Sequence, residues 1–193
     1  IQKINDLMIK FNINFEIIKL KIDSSENSKI DSNFESLKKC FSHAKKYAND
    51  LVYFVEDDYI HDKICILEMI CAYERIATQL NKEVILCPSD YPYLYADCKP
   101  SYIILGNKRH WRTTEQSLGT FLISKINIDK YWENLMQFAS GNDDPAELAL
   151  HKIYEVEPCF SPIPSLSIHC ANINSIYGIS PNVDWKKFWD ESK

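Results

Sequence analysis

The strongest constraint on the fold is a repeated switch of hydrophobic period along the first ninety residues. Ile4, Leu7, Met8 and Phe11 recur at helical spacing, and "FEIIKLKI" (Phe15–Ile22) then turns to a β-branched run. After the polar loop "DSSENSKIDSN", Asp31 or Ser32 is suited to cap a helix over Asn33–Asn49, with Phe34, Leu37, Phe41, Ala44 and Ala48 as its buried stripe. "LVYFV" reads as a buried strand, Asp62–Leu80 as a helix with Ile64, Leu67, Ile70, Cys71 and Ala77 on one side, and "EVILC" as a further strand. Helix alternating with strand predicts an α/β fold with a mostly parallel central sheet flanked by helices. In such sheets ligands gather beyond the carboxyl ends of the strands.

From "PSDYPYLYADCKPS" onward the chain is richer in Pro, Tyr and polar residues. "YIILGN" and "SLGTFLISK" read as two strands of a hairpin-like insertion lined by "KRHWRTTEQ". Ile128–Ala139 follows as a helix on the Ile128, Tyr131, Trp132, Leu135 and Phe138 stripe. "SGNDDPAELALHKIYE" starts another, with Asn142 or Asp143 as cap and Pro145 in its first turn. The tail reads as irregular apart from a short helix packing Trp185 and Trp189.

A chain of 193 residues supports one core, so a single domain over 1–193 is expected. The net charge of -5 argues against a general nucleic-acid binder, which needs a basic face. No apolar run approaches the roughly 20 residues of a transmembrane helix, and no signal segment opens the chain. Because the chain begins at Ile1 inside a helical pattern, a truncated or processed N-terminus is expected. Seven scattered cysteines without a C-x-x-C pair fit buried thiols in a reducing, cytoplasmic compartment better than a disulfide framework.

The stretch "LVYFVEDDYIH" carries the main chemical signal. Three adjacent carboxylates, Glu56, Asp57 and Asp58, repel one another at one strand end unless a cation or hydrogen-bond donors compensate. Mg²⁺ or Mn²⁺ is the natural partner of such oxygen ligands. A solvated strand end with Asp57 or Asp58 capping the next helix accounts for the same residues.

A hydrophobic strand ending in this triplet, after a helix and an earlier strand, resembles the D-x-D metal motif of GT-A-fold, nucleotide-sugar-dependent glycosyltransferases, and "YFVEDDY" is similar to their E-D-D version. The resemblance implies that Asp58 coordinates Mn²⁺ or Mg²⁺ while Glu56 and Asp57 orient the donor. It also implies a late metal- or diphosphate-binding histidine, which "PSLSIHC" supplies as His169. An acceptor-side general base is implied at the start of a downstream helix, where Asp143 and Asp144 lie in "GNDDPAELALH". Asp144 is the choice, with Asp90 of "CPSDYP" as competitor, although capping alone explains an aspartate there. The family's sheet begins with a strand before the first helix, whereas this chain starts at the helix.

"NKRHWRTTEQ" adds Arg112, suited to phosphate, and Trp111, whose indole face suits a sugar ring; a solvated turn explains the same charges. The expectation is a metal-dependent, inverting transferase with a nucleotide-sugar donor and a hydroxyl acceptor. The alternatives are a non-catalytic binding module on the same scaffold and a metal-dependent phosphohydrolase or nucleotidyltransferase.

Overall fold

The structure is a computed structural model and describes residues 8, 10, 12, 14, 16–18, 28–97, 99–171, 174–180 and 183–191. The expected first helix and the strand at Phe15–Ile22 fall largely outside the described residues; Glu16, Ile17 and Ile18, which are described, are not in a strand. The chain then runs α1 (Ser28–Tyr47), β1 (Leu51–Phe54), β2 (Tyr59–His61), α2 (Cys65–Leu80) and β3 (Ile85–Leu86). A 3₁₀ turn (Pro92–Tyr95) precedes β4 (Ile103–Leu105), β5 (His110–Thr114) and β6 (Phe121–Ser124). Next come α3 (Lys125–Lys130), α4 (Trp132–Phe138), α5 (Leu148–Tyr154), β7 (Cys159–Ile163), β8 (Ser167–His169) and α6 (Trp185–Glu191).

Six strands form one sheet in the order β1-β6-β3-β7-β5-β4, and β2 pairs with β8 in a separate ribbon. The protein is α/β, but the expected mostly parallel sheet is corrected. Among the described strands only β3 and β7 pair in parallel; β1–β6, β3–β6, β4–β5 and β5–β7 are antiparallel. The reason is that β6 returns from later in the chain and inserts between β1 and β3. Both pair antiparallel to β6, so β1 and β3 run the same way, and β7 joins them. Strand β4, antiparallel to β5, runs the same way as well, so four co-directional strands send their carboxyl ends to one edge of the sheet. "YIILGN" pairs with β5, a strand concealed in the basic run expected to be a lining, and not with β6.

Strand alternation distributes the core to two faces. Ile85, Cys87, Phe121, Ile123 and Cys159 pack with Phe41 of α1, Ile128 of α3, Leu135 and Phe138 of α4, and Leu150 and Ile153 of α5. Their neighbours Leu86, Leu122, Phe160 and Trp111 pack on the other face against Met69, Ala72 and Ile76 of α2. Phe41 meets Phe54 edge to face at 4.8 Å between ring centroids. Burial of each such side chain contributes about 1.5–3 kcal/mol.

Several local expectations are also corrected. Helix α1 contains Asp31 and Ser32, which therefore do not cap it. Helix α2 buries Cys65, Met69, Ala72, Tyr73 and Ile76, while Leu67 and Ile70 of the expected stripe stay exposed. The helix expected over Ile128–Ala139 is two, meeting at Tyr131, and α5 begins at Leu148, beyond Asp143 and Pro145. The tail supplies the inner strand β7. Its last helix buries Phe188 and leaves Trp185 and Trp189 exposed. The described cysteines are free thiols, with Cys65, Cys87 and Cys159 buried. No helix among the described residues is long and apolar enough to cross a membrane.

Candidate active site

The site forms where β1 leaves the sheet edge. The Glu56 backbone N–H donates to Thr120 Oγ1 at 3.0 Å, and that hydroxyl donates to Glu56 Oε2 at 3.3 Å. The side chain thereby folds back over Gly119, where a Cβ would lie 2.9 Å from Glu56 Oε1. Glycine permits the approach; any larger residue displaces the carboxylate. Asp57 is exposed.

Asp58 is positioned by the β2–β8 ribbon. Tyr59 pairs with His169, and the Cys170 N–H donates to the Asp58 carbonyl at 2.7 Å. This register brings His169 Nε2 to 2.9 Å from Asp58 Oδ2. The imidazole stacks on Tyr59, with ring centroids 4.9 Å apart. Its Nδ1 is buried without a hydrogen-bond partner among the described residues.

Glu56 and His169 face a cavity of about 460 Å³ whose walls also carry Glu147, His151, Tyr93 and Tyr177. Desolvation of its carboxylate pushes the Glu56 pKa above the usual glutamate range; Asp58 and Glu147 add to the rise, whereas His169 and Thr120 oppose it. The residue keeps contact with solvent, but its carboxyl end is tucked against Thr120 and Gly119.

Glu147 and His151 are the cavity groups that sequence reasoning passed over. A signal existed: they stand four residues apart at the head of α5, a spacing that puts two side chains on one helix face. His151 Nε2 lies 3.0 Å from the Ser117 carbonyl oxygen, which fixes the ring against the cavity wall. Asp144 is exposed, and its neighbour Pro145 lines the cavity. Asp143 accepts from Gln137 Nε2 at 3.0 Å.

Asp90 is 1% exposed and fully engaged. Arg112 Nη2 donates to Asp90 Oδ1 at 2.5 Å, Tyr95 donates to Oδ2, and the Arg112 guanidinium lies over the Tyr95 ring. Burial raises the Asp90 pKa, and the Tyr95 and Arg112 contacts oppose the rise. A carboxylate so engaged is not free to accept an acceptor proton. Arg112 lines a neighbouring cavity and not the one containing Glu56 and His169. Trp111 is completely buried, its indole N–H directed to Glu68, so its ring faces are closed to a sugar.

A cation held by Asp58 and His169 would have to take most of its shell from water or a bound ligand. Asp58 offers a carboxylate and His169 an imidazole; among the described residues no group of three or more His, Cys, Asp and Glu is arranged to hold a metal. Mg²⁺ usually keeps water and phosphate oxygens in its shell, whereas an imidazole tilts the preference towards transition ions such as Mn²⁺.

Fold and site together define an α/β protein with a carboxylate–histidine pair beside a cavity at the carboxyl edge of its sheet. No protein-family model and no curated protein matches the chain.

Proposed function

We propose that the protein is a metal-dependent glycosyltransferase that moves a sugar from a nucleotide-sugar donor to a hydroxyl acceptor by inverting displacement. The observation that carries this reading is the meeting of Asp58 and His169 beside a cavity that also holds Glu56 and Glu147. Asp58 and His169 would hold the divalent ion, Mn²⁺ in preference to Mg²⁺, which when bound neutralises charge developing on the departing nucleoside diphosphate. Glu56, with its raised proton affinity, and exposed Asp57 orient the donor by hydrogen bonds. Glu147 faces the same cavity and takes the acceptor hydroxyl proton on its carboxylate; it replaces Asp144 and Asp90 in that role. Tyr59 stacking and the β2–β8 ribbon keep the His169 ring oriented.

The test is nucleoside diphosphate release from a panel of nucleotide sugars with Mn²⁺, comparing wild type with Asp58→Asn. The Asp58 side chain is 38% exposed, so the variant is expected to fold, as circular dichroism would verify, and to lose metal-dependent release. Undiminished release in Asp58→Asn overturns the assignment. Nucleoside monophosphate as product reassigns the site to pyrophosphate cleavage, and tight donor binding without turnover in wild type reassigns it to a binding module.

A further inference from the structure

A second cavity, also of about 460 Å³, adjoins the first, with Tyr93 and Gln116 lining both. We propose that this second cavity binds a neutral saccharide and serves as the acceptor site; the acceptor role rests on the transferase reading.

The charges lining it fix the ligand class. They are Asp97, Lys99, Arg112 and Glu115, two acidic and two basic. The basic pair is already matched: Arg112 bonds to Asp90 behind the wall, and Lys99 Nζ lies 3.2 Å from Glu115 Oε2. Among the described lining residues no unpaired cation is left over for a phosphate or carboxylate ligand, and an anion would also meet Asp97. The remaining polar lining consists of hydroxyl and amide groups, among them Thr113, Ser101 and Gln116. These exchange hydrogen bonds with uncharged hydroxyls in either direction.

One further feature favours a sugar over a smaller polyol. Tyr102 stands at the wall 80% exposed, presenting an aromatic ring of the kind on which the apolar side of a pyranose rests. Tyr93 and Gln116 line both this cavity and the one containing Glu147 and His169, so the two adjoin. In the acceptor role a saccharide of two or more rings would place its terminal hydroxyl towards Glu147.

Saturation-transfer NMR with a panel of neutral disaccharides and trisaccharides, and with their uronic-acid counterparts, tests the inference without donor or metal. Wild type is expected to bind at least one neutral member and to discriminate against its charged counterpart. Tyr102→Ala and Gln116→Ala change exposed side chains and are expected to weaken that binding by about tenfold. Absence of binding across the panel, preference for the charged counterpart, or affinity unmoved by both variants overturns the inference. Nucleoside diphosphate release, read separately, bears on the transferase reading: saccharide binding without any such release would overturn that reading and leave the saccharide site standing.

Discussion

His169 Nε2 and Asp58 Oδ2 lie 2.9 Å apart across 111 residues of sequence, brought together by the register of a three-residue ribbon. As the two side-chain ligands of the proposed metal site they are too few to hold a hard cation tightly, so on that reading metal and nucleotide are expected to bind together. Calorimetry should show weak Mn²⁺ binding alone and much stronger binding with a nucleoside diphosphate present. His169→Gln removes the imidazole and is expected to cost at least about 10–100-fold in Mn²⁺ affinity, and to erase the advantage of Mn²⁺ over Mg²⁺. Equal Mn²⁺ titrations for the variant and wild type would exclude His169 as a ligand.

Glu147 and Asp144 lie three residues apart, but of the two only Glu147 lines the cavity beside His169, where we propose that it acts as base. Removing a general base typically costs about 10²–10⁴-fold in rate. Glu147→Gln is therefore expected to lower kcat in that range with a small change in donor KM, while Asp144→Asn stays within a few fold of wild type. Reversal of that order in steady-state assays returns the base to Asp144.

Glu56 links the site to stability. Its pKa is raised in the folded protein, so the native state binds more protons than the unfolded chain once pH passes the ordinary glutamate value near 4.5. Stability must then fall as pH rises through the window above that value, until the folded group has also ionised. Glu56→Gln abolishes the contribution and is expected to flatten the urea-midpoint profile across this window, with stability at neutral pH equal to or above wild type. A profile parallel to that of wild type would show that Glu56 does not titrate in this way.

The alternation of periods from α1 to β3 was legible because each element has a strong pattern, and it also implied that β1 and β3 run the same way. Their adjacency was not legible, since β6 arrives from seventy residues beyond β1 and a period of two carries no information on neighbours. Helix α2 was read on the wrong face because "CILEMICAYERIATQL" is apolar on several sides. Strand β5 was missed because Trp111 and Arg112, adjacent in a basic run, face opposite sides of the sheet, one into the core and one beside Asp90. Asp58 and His169 stood out by residue type and order, but their separation depends on the β2–β8 register. Glu147 was less legible than Asp144 because only its four-residue spacing to His151 marks it, and the cavity that Glu147 and His151 line is made by the fold.

Glu68 is 1% exposed, a buried acid on the core face of α2, and its role depends on the β4–β5 turn. Its carboxylate accepts the backbone N–H groups of Asn107, Lys108 and Arg109 at 3.0, 2.7 and 3.1 Å, and the Trp111 indole N–H at 3.3 Å. Gly106 leaves room for this arrangement, because a Cβ there would collide with Trp111 and approach Glu68. Arg109 donates to Asp62 at the foot of α2 and closes the turn onto the helix. Glu68→Ala would leave three backbone donors and one indole donor without their acceptor. Each hydrogen bond to a charged group is worth about 1.5–3 kcal/mol, so a loss of about 3–5 kcal/mol is expected, a large share of the stability of a domain this size. Glu68→Gln keeps one acceptor oxygen in place and should recover part of that loss. Urea denaturation would rank wild type above Glu68→Gln above Glu68→Ala, and equal midpoints for all three would show that the turn holds without the carboxylate.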